Sequence, residues 1–73
     1  MSYNGWTNRA TWNVALWIDN TEELYRQRVA ASIKTAKDAR RFVRRLWPDG
    51  YTPDGDYFGR ANWQELADAW QEE

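Results

Sequence analysis

The 73-residue chain has no cysteine and no histidine. The first absence excludes disulfides and thiolate metal sites, and it suits a reducing cytoplasm. The second removes the commonest general base, and together they leave nucleophilic catalysis poorly supplied. Ser2 and Ser32 are the only serines, and Thr7 and Thr11 read as a helix cap and a helix-face residue. Glu22 and Glu23 stand at a helix start, where acids are expected anyway. The chain is therefore expected not to be an enzyme. No apolar run approaches the roughly 20 residues of a membrane span, and no signal-peptide pattern opens the sequence, so a cytoplasmic protein without a membrane partner is expected. Asp49, Asp54 and Asp56 are the only candidate metal ligands. Their spacing does not follow an EF-hand loop, and Asp beside Gly or Pro is ordinary turn chemistry. Neither metal nor cofactor is predicted.

Aromatic residues are abundant: six Trp, four Tyr and two Phe. In one domain spanning 1–73, near the lower size limit for folding without staples, these rings are the natural compensation. The net charge of −1 conceals a separation. Residues 24–48 hold eight cations (Arg26, Arg28, Lys34, Lys37, Arg40, Arg41, Arg44 and Arg45) against Asp38 alone. Residues 49–73 hold seven acids against Arg60. Two dispositions follow: the halves neutralise one another, or a basic face stays exposed.

Four helices can be read. Thr7 predicts an N-cap for the first, over 8–18. Trp12, Val14, Ala15, Leu16, Trp17 and Ile18 surround it, with Asn13 the clear polar exception, so it reads as the buried centre, with Trp12, Leu16 and Trp17 in the core. Trp6 is placed to pack back on it as a staple. Asp19 and Glu22 have capping-box spacing and predict a tight turn and a helix over 21–33. Thr35 and Asp38 repeat that spacing. The helix they start carries Ala36, Ala39, Phe42, Val43 and Leu46 on one side and Lys37, Arg40, Arg41, Arg44 and Arg45 opposite, and Trp47-Pro48-Asp49-Gly50 stops it. Residues 49–60 form an ordered Gly/Pro/Asp loop, with a small hairpin pairing Tyr51 and Tyr57-Phe58 across Pro53-Asp54-Gly55. Asn62 and Glu65 start a last helix with a Trp63, Leu66, Ala67, Trp70 stripe. The fold class is all-α, a compact bundle of about four short helices.

Two segments carry a resemblance. NGWTNRATWNVALW at 4–17 and NWQELA at 62–67 resemble the opening and closing motifs of a family of small uncharacterised proteins found largely in phages, plasmids and cyanobacteria. Where that family usually has Glu three residues after the Thr cap, this chain has Ala10, so the reciprocal half of a capping box is missing. Residues 20–60 carry no motif of this resemblance. It implies a mobile-element accessory protein that binds and inhibits a host defence nucleoprotein, of the anti-CRISPR or anti-restriction type.

The candidate binding residues are Lys37, Arg40, Arg41, Arg44 and Arg45, with Trp47 and Tyr51 for stacking and Asp54 and Asp56 for a basic groove. Arg forks suit phosphate and carboxylate. The bland alternative is a solvated face answered by the acids of the loop or of Glu72 and Glu73. The expected partner is a host protein or nucleoprotein complex. Direct nucleic-acid binding through the Arg-rich helix is the alternative, although a pI near 5.4 lies far below that of typical nucleic-acid-binding domains. A homodimeric structural module is a further alternative.

Overall fold

The computed structural model describes residues 5–71. Its elements are α1 (Arg9–Asn20), α2 (Glu22–Ala31), α3 (Ala36–Leu46) and α4 (Trp63–Gln71). The connection before α4 carries an antiparallel bridge, Tyr51 with Tyr57. The fold is an all-α bundle. No helix among the described residues is long and apolar enough to cross a membrane.

Each helix start has a chemical cause, and two differ from expectation. Asn8, not Thr7, caps α1: its Oδ1 accepts from the Thr11 N–H at 2.9 Å and from the Thr11 hydroxyl at 2.7 Å. Asn and Asp are at least as good as Thr at this position, and Thr7 is engaged elsewhere. The Asp19–Glu22 box does not form. α1 runs through Asp19 to Asn20, and Thr21 breaks it in an extended conformation without a side-chain cap bond. Asp19 is instead drawn to Arg28, whose Nε lies 3.3 Å from its Oδ1. α2 also ends earlier than predicted, at Ser32 with φ 55°. That left-handed residue turns the chain so that Ile33 points into the core.

α3 starts on the full capping box read from its sequence. Thr35 Oγ1 accepts from the Asp38 N–H, and Asp38 Oδ2 accepts from the Thr35 and Lys34 N–H groups. These donors, the Lys34 N–H foremost, hold the Asp38 carboxyl below its ordinary range. The two faces of α3 separate as predicted: Ala39, Phe42 and Val43 are buried, whereas Lys37, Arg40, Arg41, Arg44 and Arg45 are exposed. α4 buries Leu66, Ala67 and Trp70 against it, and the Phe42 and Trp70 rings meet edge-to-face at 6.5 Å.

The loop has its own aromatic centre. Phe58 is buried between Trp47 and Trp63, with centroid separations of 6.1 and 5.9 Å. Trp6 also packs on the core. Around Phe58 the chain turns at Thr52–Gly55, where the Gly55 N–H reaches the Thr52 carbonyl at 2.8 Å and Pro53 occupies a position suited to its fixed φ.

The expectation for α1 needs correction. Leu16 is 36% exposed, and Trp12 and Trp17 are only half-buried, whereas Thr11 and Asn13 are fully buried. The reason is the loop: it packs across the polar flank of α1 and brings hydrogen-bond partners for it.

Candidate interaction surface

The polar side chains of α1 grip residues 54–62. Arg9 pairs with Asp56 at 2.9 Å. Asn13 Nδ2 and Trp17 Nε1 both donate to Asp54 Oδ2, at 3.0 and 3.1 Å. These two donors, Asn13 first, hold the Asp54 carboxyl below its ordinary range, and the nearby Arg9 charge acts in the same direction. At the start of α1, Asn8 Nδ2 donates to the Arg60 carbonyl, and Thr11 Oγ1 accepts from the Asn62 N–H at 2.8 Å.

The start of α4 answers in kind. Asn62 Oδ1 caps the helix by accepting from the Glu65 N–H, and Asn62 Nδ2 donates to the Thr7 hydroxyl. The Glu65 carboxylate does not turn back on its own helix; it accepts from the Thr7 N–H at 3.0 Å. The segments 7–11 and 62–65 are thus two halves of one lock. Each caps its own helix and ties off the other.

Asp54 and Asp56 therefore sit with α1. Asp49 accepts from the Tyr51 N–H, an Asx-type turn that explains its place after Pro48. Among the described residues, no group of three acidic side chains converges as a metal would require.

α3 stands apart from this network. Lys37, Arg40, Arg41 and Arg44 together line a shallow hollow of about 260 Å³. Arg41 and Arg45 border a second of about 250 Å³ with Asp38 and Phe42. Among the described residues, no ion pair engages any of these five cations; Asp38 feels the Arg41 charge only at longer range. Trp47 turns its ring into the Phe58 cluster, so it supports the end of α3 from within. Tyr51 is 47% exposed and lies against Tyr57, itself 57% exposed, with ring centroids 5.7 Å apart. Of the candidate residues, the five cations, Tyr51 and Asp54 lie open to solvent, Asp54 with its carboxylate hydrogen-bonded to α1. Glu72 and Glu73 fall outside the described residues.

The family model of a family of unknown function, DUF7249, matches residues 1–67. The chain belongs to that family. The match runs through the charged middle of the chain as well as both halves of the lock. No curated protein and no solved structure matches the chain.

Two residues have roles that the sequence does not show. Arg28 belongs to the basic stretch yet is buried, ion-paired with Asp19 and stacked on the Tyr25 and Trp70 rings at 5.0 and 5.5 Å. Tyr57 reads in the sequence only as a hairpin residue. The signal available for it is its setting between Gly50 and Gly59, which leave room for a ring to lie on backbone.

Proposed function

We propose that this chain is a non-catalytic accessory protein of a mobile element. In the host cytoplasm it binds a defence nucleoprotein of the CRISPR or restriction type and inhibits it through the cationic face of α3. One observation carries the choice of face: Lys37, Arg40, Arg41, Arg44 and Arg45 are exposed and engaged by no ion pair among the described residues. Asp54 and Asp56, the loop acids that would otherwise neutralise them, are tied to α1. An arrangement with the acids as the contact surface is less favoured, because Asp54 and Asp56 are already engaged.

The absence of His and Cys supports a stoichiometric mode of action. Exposed guanidinium groups offer bidentate contacts to phosphate or carboxylate, which suits docking on a charged assembly. Affinity purification of the tagged full-length chain from a host with an active defence system tests this. The expected result is recovery of the defence complex and relief of its interference, with both lost in an Arg40→Ala/Arg44→Ala variant. Failure to recover any complex, with interference undiminished, would overturn the proposal.

A further inference from the structure

The geometry points to the Tyr51–Tyr57 pair as a stacking platform for an unpaired nucleobase, continuing the phosphate track of α3 into a site for single-stranded nucleic acid. This rests on the reading that the cationic face of α3 is the binding face, and it names the component of the partner that the face meets.

Tyr57 is held in place although most of it is open to solvent. Its ring lies over two glycines: a Cβ on Gly50 would stand 3.5 Å from it, and a Cβ on Gly59 would overlap it outright. Beneath the pair, the Tyr51–Tyr57 bridge and the Phe58 N–H to Gly50 carbonyl bond fix the backbone. The Phe58 cluster with Trp47 and Trp63 supports that backbone from inside. Exposed rings fixed in this way lose little conformational entropy on binding.

The platform sits at the C-terminal end of α3. The Gly50 N–H bonds the Trp47 carbonyl, and Arg44 and Arg45 form the last turn of the helix. Exposed cations on α3 and exposed aromatic rings just beyond its C-terminal end are the two components by which single strands are held: phosphates follow the charge and bases stack on the rings. A duplex keeps its base faces covered and has no use for the tyrosines.

Fluorescence anisotropy of the full chain with a short labelled oligothymidylate and with a duplex of the same length tests the site. The single strand is expected to bind more tightly. Tyr57→Leu and Tyr51→Leu should each weaken it about tenfold without changing the salt dependence. Tyr57→Phe, which keeps the ring, should bind like the parent and guards against a folding artefact. Arg40→Ala should lower the log–log salt slope by about 0.7. Equal affinity for duplex, or leucine variants that bind like the parent, would overturn the inference. So would a chain that binds neither oligonucleotide yet recovers the host complex in a Tyr57-dependent way; the surface would then dock on protein, and the proposed function would stand. Normal strand binding without recovery of a host complex would instead remove the proposed function and leave this site intact.

Discussion

Arg28 lies in the most basic stretch of the chain yet is only 2% exposed. Its guanidinium meets Asp19, lies on two aromatic rings and donates to the Trp70 carbonyl, at the negative end of the α4 dipole. Arg28→Ala should therefore cost about 2–3 kcal/mol, towards the lower end for a broken buried pair because Asp19 keeps access to water. Urea denaturation measures this directly. Arg28→Lys should recover little, since a point charge replaces neither the planar stack nor the fork. Asp54 provides a second residue-scale expectation. The folded chain favours its ionised form more than the unfolded chain does, so its contribution to the loop clasp is fully present above about pH 4 and is lost as the pH falls further. The Trp17 indole N–H resonance should move as the carboxylate protonates, and Asp54→Asn should abolish that titration. Neither role was legible in the sequence. Arg28 is chemically indistinguishable from its basic neighbours, and Asn13 and Asp54 are partners across 41 positions.

The helices were more legible than their contacts. Start signals and the 3.6-residue period are local physics, so the α3 capping box and the Leu66–Ala67–Trp70 stripe could be read without knowing what they pack against. At the start of α1 the same local reasoning chose Thr7 over Asn8, because the requirement that frees Thr7 from capping comes from α4. Thr11 shows how closely the two helix starts depend on each other: its hydroxyl donates to Asn8 and accepts from Asn62. Thr11→Val keeps the shape but leaves the Asn62 N–H without its acceptor, and should cost about 1–3 kcal/mol. Thr11→Ser keeps the hydroxyl and should stay within about 1 kcal/mol of the parent. Thermal melts of the two variants side by side distinguish a lost hydrogen bond from a lost methyl contact.

For the whole molecule, the charge separation visible in the sequence maps onto a division of labour. The loop acids hold the frame, while the cations of α3 contribute little to stability. They repel one another at i,i+4 spacing along the exposed face. Arg40→Ala/Arg44→Ala should accordingly leave the denaturation midpoint unchanged or raise it slightly, within about 0.5 kcal/mol per site, even as binding is lost. The lock between the helix starts also has a kinetic consequence. Its bonds join residues 47 to 58 positions apart, and helices of 9–12 residues are too short to persist alone. Four-helix chains of this size ordinarily fold fast because their contacts are local. Here α1 and α4 must also close a large ring of chain on each other, and folding should be slower than in a bundle joined only between helices adjacent in sequence.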